Sequence, residues 1–398
     1  MPNQFYGTAR QLRQIRLLGN EVNWSGVEQA FNDAIERGVM PGATVVVRQG
    51  AQVVFEGNFG WRQTVPERHP MQLETVFDLS SLTKALATSV AAMMLIREGK
   101  LRLDDRVTRF FHNFGVHGKA YISFRHLLGH FSGLAAWRPY FEQIAEVERK
   151  GRVNFMASRG AKEYVYEQIH REKPEAPPAS RAIYSDLNFM LLGEVVEQIS
   201  GVGLQRFCRD RIFRPLGLRA TDFVDISLVR SRRLEPVPEM FAATEFCPSR
   251  KRLLLGEVHD ENAYAMGGVS GHAGLFAPVK EVDRIAGELI ASYHGRSDLV
   301  ARPIIAEFWK RDGAVNGSTW GLGWDTPSAG NSSAGSHFSP AAVGHLGFTG
   351  TSIWIEPERE IAVTILTNRV HPRRDNEAIR DFRPRIHDRI MEVLDESI

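Results

Sequence analysis

Strand-like segments lie near both ends of this chain and helical periodicity fills the space between them. Few folds accommodate that order. Ala43-Thr44-Val45-Val46-Val47-Arg48 and Gln52-Val53-Val54-Phe55-Glu56 are apolar, β-branched runs split by a turn that begins at Gln49-Gly50. They predict a β-hairpin. Far downstream, Ser352-Ile353-Trp354-Ile355 and the run Ile361 to Leu366 flank the turn Glu356-Pro357-Glu358-Arg359 and predict a second strand pair. The economical arrangement is an α+β fold: one antiparallel sheet built from both ends of the chain, flanked by helices, with a helical domain inserted. We assign 1–80 and 251–398 to the mixed sheet domain and 81–250 to the helical one.

The stretch Ala85 to Ile96 is apolar almost all round, which predicts a buried helix. Asn188 to Ile199 is amphipathic, and Gly201 is placed to end it. A closing helix over 376–394 carries Ile379, Phe382, Ile386, Ile390 and Val393 at spacings of three and four, with Pro384 expected to kink or interrupt it. Ala9 to Glu36 also has helical spacing, with Gly19 and Gly26 expected to split it. Its basic stripe, Arg10, Arg13 and Arg16, reads as a solvated helix face.

A formal net charge of +2 gives no support to a nucleic-acid-binding surface. Two cysteines, Cys208 and Cys247, are too few for a disulfide framework in 398 residues and read as buried thiols. The N-terminus lacks the basic-then-apolar order of a secretory signal, and no apolar run is long enough to span a bilayer. The expectation is a cytoplasmic protein without a membrane span.

Chemistry concentrates at three places. In Asp78-Leu79-Ser80-Ser81-Leu82-Thr83-Lys84, Asp78 or Ser80 can cap a helix on which Ser81 and Lys84 share a face. A serine hydroxyl needs a base nearby. A lysine can be that base only where burial or a second cation lowers its pKa, and the apolar helix behind Lys84 predicts that it is buried. Ordinary residue usage yields on the order of one Ser-x-x-Lys by chance in a chain this long, so the pair needs company. Tyr184-Ser185-Asp186 precedes the amphipathic helix and offers a phenol for proton relay, or simply a capped helix with a packed tyrosine. Gly344-His345-Leu346-Gly347-Phe348-Thr349-Gly350 leads into a strand, and its glycines let a substrate approach the backbone. There the N–H of Phe348 could join that of Ser81 around an oxyanion. A rival, His272-Ala273-Gly274, leads into Leu275-Phe276 and then the helical stretch Val279 to Leu289. It reads as a loop near the site, with no strand after it.

His126 and His130 are four apart, a zinc-compatible spacing, but lack the glutamate of HExxH and sit among leucines, so no metal is assigned. No Gly-x-Ser-x-Gly elbow and no Gly-Lys-Ser/Thr phosphate loop is present.

The ordered set Ser81-x-x-Lys84, Tyr184-x-Asp186 and His345-x-Gly347 resembles the serine beta-lactamase and penicillin-binding-protein superfamily, most of all its class C beta-lactamase, esterase and D-aminopeptidase branch. Leu103-Asp104-Asp105, Arg125 to Leu134 and Gly347 to Ser352 extend the likeness from about Pro41 to Leu366. The resemblance implies an acyl-enzyme on Ser81, proton transfer by Lys84 and Tyr184, and a cleft site with substrate contacts at Asp186, His345, Gly347 and Phe348. It implies a small ester or amide substrate and no cofactor. Two positions depart from the pattern. Asp186 stands where class C enzymes usually carry Asn, and His345 where beta-lactamases usually carry Lys. A histidine near its ordinary pKa of about 6.5 is mostly neutral at pH 7. The expectation is therefore an esterase-like hydrolase with weak beta-lactamase activity. A D-amino-acid peptidase or true beta-lactamase is the alternative, and a non-catalytic penicillin-recognising module a third. Oligomeric state is not legible.

Overall fold

The computed structural model describes residues 22–151 and 154–396. Arg10, Arg13 and Arg16, with the N-terminal half of the first predicted helix, lie outside the described residues. The described remainder forms one helix, Ser25–Glu36. Gly26 sits in its first turn, with the Arg389 guanidinium packed where a side chain would be, so it does not split the helix.

Strands β1 (Gly42–Gln49) and β2 (Gln52–Gln63) form the expected hairpin, followed by β3 (His69–Pro70). β4 (Val76–Asp78), β5 (Asp222–Phe223), β6 (Phe246–Cys247), β7 (Arg252–Leu253) and β8 (Leu275–Pro278) are short. β9 (Val343–Leu346), β10 (Ser352–Glu356) and β11 (Ile361–Thr367) return at the end. The main sheet has the order β3-β2-β1-β11-β10-β9, so the two chain ends meet at its centre. There β1 and β11 run antiparallel with Val45 opposite Ile365 and Val47 opposite Val363.

Alternation along β1 sends Val45 and Val47 to one face and Val46 to the other. The first face packs against the helix Ser25–Glu36 and the closing helix Ile379–Asp395, through Phe31, Phe382 and Ile386. The second joins the larger core, with Ile353, Ile355 and Leu366. The helix Val279–Tyr293 packs on β1 and β11 from that side. Burial on both faces is why β1 reads as an unbroken apolar run.

Helices fill the middle of the chain as expected. The helix Asp186–Ser200 is capped by the Ser185 hydroxyl on the Asn188 N–H and stopped by Gly201 at φ 72°. The closing helix continues through Pro384, which removes a single backbone donor one turn into the element. One reading is corrected. Leu275-Phe276 belongs to a strand, β8, which lies between β4 and β5 in a three-stranded sheet. Four residues ending in Pro278 carry too little alternation to register as a strand, and only tertiary pairing makes them one. Cys208 and Cys247 are buried free thiols. Among the described residues no helix is long and apolar enough to cross a membrane.

Candidate active site

The segment after β4 is bent before it becomes helical. The Asp78 carboxylate accepts the Ser80 N–H at 2.8 Å and the His259 N–H at 2.6 Å. Ser80 is thereby held at φ 48°, a left-handed conformation that non-glycine residues rarely adopt. Ser81 therefore lies in a tight turn ahead of the helix. Lys84 opens a wide π-type stretch, Lys84–Ser89, that passes into the α-helix Val90–Arg97. Such wide turns recur at functional sites, because they re-aim side chains within an otherwise regular helix.

Lys84 is fully buried. Its ammonium donates to Ser81 Oγ at 2.9 Å and to the His272 carbonyl at 3.0 Å, and pairs with Asp186 Oδ1 at 2.7 Å. Two hydrogen-bond acceptors and a carboxylate at ion-pair distance favour the charged amine. Burial alone pushes this amine down, yet Asp186 and Tyr184 outweigh it and hold its pKa up, at about 12. The expectation of a resting uncharged amine is thus corrected. Burial is as read from the sequence, but the carboxylate at the family's asparagine position reverses the electrostatic outcome. Asp186 itself, expected to touch substrate, faces Lys84.

Tyr184 precedes the Ser185 cap, and its ring centroid lies 5.0 Å from the Lys84 ammonium. Burial pushes the phenol up and Lys84 pulls it down, leaving it raised and therefore protonated at neutral pH. The residue as a whole is 37 % exposed, and its ring stacks on Trp320 at 5.3 Å and lies 4.7 Å from His130. His130 Nδ1 accepts the Ser185 N–H at 3.1 Å, and its carbonyl accepts the Ile183 N–H, so this histidine pins the tyrosine loop from both ends. Burial, with Lys84 and His345 nearby, keeps its pKa far below the usual value. His126 is occupied elsewhere, its Nδ1 accepting the Ser123 N–H at 3.0 Å. The two histidines thus serve separate loops.

His345 on β9 is 2 % exposed, and its Nδ1–H donates to the Leu346 carbonyl at 2.9 Å. Burial first, then Lys84, lowers its pKa to about 3, so it is neutral, as the sequence suggested. Gly347 has no room for a Cβ, which would meet Thr351 Oγ1 at 2.0 Å and the Leu79 carbonyl at 2.7 Å. Thr349 and Thr351 hydroxyls donate to the carbonyls of Asp78 and Leu79, tying this turn to the serine segment. The Phe348 N–H donates to Ser80 Oγ at 3.2 Å.

Two cavities meet at Ser81 and Tyr184. One, of about 430 Å³, is bounded by Trp320, His345 and the arginines 369, 374, 380 and 383. The other, of about 330 Å³, is bounded by Trp137, Asp186, Asp260, Glu261 and His272. His272, read as a loop residue near the site, bonds Asp260 at 2.9 Å and Ser270 at 2.8 Å. Burial raises the Asp260 carboxyl, but His272 and the Ala263 N–H together hold it below the usual carboxylate range. Asp186, Asp260 and His272 each bring one ligand-type atom within 4.8 Å of the others, and Lys84 is the cation seated on Asp186.

A family model for beta-lactamases matches residues 27–384. The chain belongs to the beta-lactamase family. The family is one of serine hydrolases. Putative D-alanyl-D-alanine carboxypeptidases of Salmonella heidelberg and Salmonella typhi are each 33 % identical over 328 residues, covering 76 % of this chain and 72 % of theirs. Solved structures share the fold. EstCE1, a hydrolase with promiscuous acyltransferase activity, matches with a TM-score of 0.66 at 23 % identity, over 90 % of this chain and 98 % of its own. Unliganded simvastatin synthase (LovD) from Aspergillus terreus gives 0.67 at 19 %, over 92 % and 97 %. The octameric penicillin-binding protein homologue from Pyrococcus abyssi gives 0.65 at 21 %, over 87 % and 73 %.

Trp320, Asp260 and the arginines were not singled out from sequence, and His130 was weighed there only as half of a zinc-spaced pair. None forms a local pattern with Ser81, and only the fold brings them to it.

Proposed function

We propose that this beta-lactamase-family protein is an acyl-transfer hydrolase that forms an acyl-enzyme on Ser81. The observation that carries this reading is the 2.9 Å contact between Ser81 Oγ and the buried Lys84 amine, with the Tyr184 ring centroid 5.0 Å from that amine. The reactive form is the one in which Lys84 has lost a proton. The amine takes the Ser81 proton as Oγ attacks the acyl carbon. Negative charge develops on the carbonyl oxygen, against the N–H groups of Ser81 and Phe348. As the intermediate collapses, Tyr184 protonates the departing oxygen or nitrogen and recovers a proton from Lys84. Water then releases the acyl group.

The neutral His345 provides no fixed cation for a substrate carboxylate, which supports an esterase-like preference for small uncharged acyl substrates. A second reading is favoured by the arginine-lined cavity beside Ser81. Guanidinium groups there suit a carboxylate-bearing leaving group, as in a peptide ending in a D-amino acid. The name of the Salmonella relatives points the same way. Labelling with a fluorophosphonate tests the acyl-enzyme reading, with a Ser81 adduct in the wild type and none in Ser81→Ala. A panel of short p-nitrophenyl esters, D-alanyl-D-alanine peptides and nitrocefin separates the substrates. Faster peptide turnover selects the second reading, and nitrocefin turnover far above the esters overturns the first.

A further inference from the structure

Arg383, in the closing helix, is 7 % exposed. Its Nη2 donates to the carbonyls of Gly347 and Thr351, each at 3.1 Å, and its buried Nε has no hydrogen-bond partner. Among the described residues it makes no ion pair with a carboxylate, and the charges that act on it are Arg369 and Arg380. Burial, followed by those two arginines, lowers its pKa to about 10, so it still carries its charge at neutral pH. A buried cation with no counter-ion is costly, and a neutral donor of similar reach could tie the same carbonyls without that cost.

The Gly347 carbonyl, which accepts from Arg383 and from the Gly350 N–H at 3.0 Å, shares a planar peptide unit with the Phe348 N–H. Fixing Gly347 O therefore fixes the opposite direction for that N–H, and a guanidinium on the oxygen polarises the N–H into a better donor. Arg369 braces the next unit. Its Nε donates to the Phe348 carbonyl at 2.8 Å while its guanidinium lies 4.6 Å over the Phe348 ring.

We propose that Arg383 is a positioning residue for the oxyanion site, and that the negative charge it answers is the one developed on the substrate carbonyl oxygen during acyl transfer. The inference rests on the reading of Ser81 as nucleophile and the Phe348 N–H as oxyanion donor. In the resting protein that N–H is held by Ser80 Oγ at 3.2 Å, a long neutral contact that a charged oxygen displaces.

The test compares wild type, Arg383→Gln and Arg383→Lys in p-nitrophenyl acetate hydrolysis, in affinity for a boronic acid that forms a tetrahedral adduct, and in thermal midpoint. In Arg383→Gln, kcat per folded molecule falls about ten- to hundredfold, a fraction of what direct loss of an oxyanion donor costs. KM stays within about threefold, as expected when an interaction specific to the transition state is lost. Boronate affinity falls in step with kcat, and the thermal midpoint does not fall, because a buried charge has been removed. Arg383→Lys, which keeps the charge but not the paired geometry, is intermediate. Unchanged kcat and boronate affinity in folded Arg383→Gln overturn the inference. So do an unfolded Arg383→Gln and a fully active Arg383→Lys taken together, since they make the guanidinium a structural tie only. If the wild type itself forms no fluorophosphonate adduct on Ser81, the acyl-enzyme reading fails as well. A labelled wild type with unchanged Arg383→Gln kinetics sinks this inference alone.

Discussion

Asp186 Oδ1 lies 2.7 Å from the Nζ of Lys84, inside a pocket where Lys84 has no exposed surface. This pair sets the resting charge of the site. In the proposed mechanism, the proton that leaves Lys84 before Ser81 attacks is held by the carboxylate beside it.

Replacing Asp186 with Asn removes the largest influence holding that proton, so the Lys84 pKa falls. The rising limb of kcat/KM against pH then moves to lower pH by about 1–3 pH units, the usual effect of an adjacent opposite charge. Activity near neutrality rises with it. A pH–rate profile of Asp186→Asn beside the wild type checks this, and superimposable limbs contradict it.

Tyr184→Phe keeps the ring that stacks on Trp320 and removes only the hydroxyl. The expected outcome is a fall in kcat of about 10²–10⁴, the typical contribution of a proton-transfer group. Thermal stability should change little, because the ring and its stacking on Trp320 are retained. The loss is smallest for p-nitrophenyl esters, whose leaving group needs no proton, and largest for amides. Equal losses on both contradict the assignment to leaving-group protonation.

Acid should destabilise the fold well before its carboxylates titrate. Burial lowers the pKa of His371 to about 4, against its bond to the Thr244 carbonyl, and lowers that of His387 to about 4 against its bond to Ser333. Both groups bind protons more readily unfolded than folded. Their stabilising contribution is complete above the ordinary histidine pKa of about 6.5 and is lost as pH falls through about 4. Each contributes on the order of 3 kcal/mol across that window. Urea midpoints between pH 7 and pH 4 should decline steadily, and His387→Gln should flatten part of the slope. A midpoint independent of pH over that range is the opposing result.

What was legible in the sequence is what local spacing encodes. The β-branched runs and their Gly turn specify the hairpin, and the unbroken apolar stretch after Lys84 specifies burial. Ser81 and Lys84, three residues apart, meet for a local reason. The charge of Lys84 was not legible, because it depends on a carboxylate about a hundred positions away. The roles of His130 and Trp320 depend on the tyrosine loop reaching β9 and the segment after the helix Arg302–Trp309. Arg383 forms no local pattern with Ser81, and only the closing of its helix over the Gly347 turn buries it against that site. The short strand β8 escaped notice for the related reason that pairing, not periodicity, defines it.

The most direct test of the account is the rate and site of acyl transfer from a slowly deacylating ester, read by peptide mass after acid quench. The account predicts an acyl group on the peptide bearing Ser81, none in Ser81→Ala, and formation at least about a hundredfold slower in Lys84→Met than in wild type. An acyl group carried elsewhere on the chain, or an undiminished rate in Lys84→Met, contradicts it.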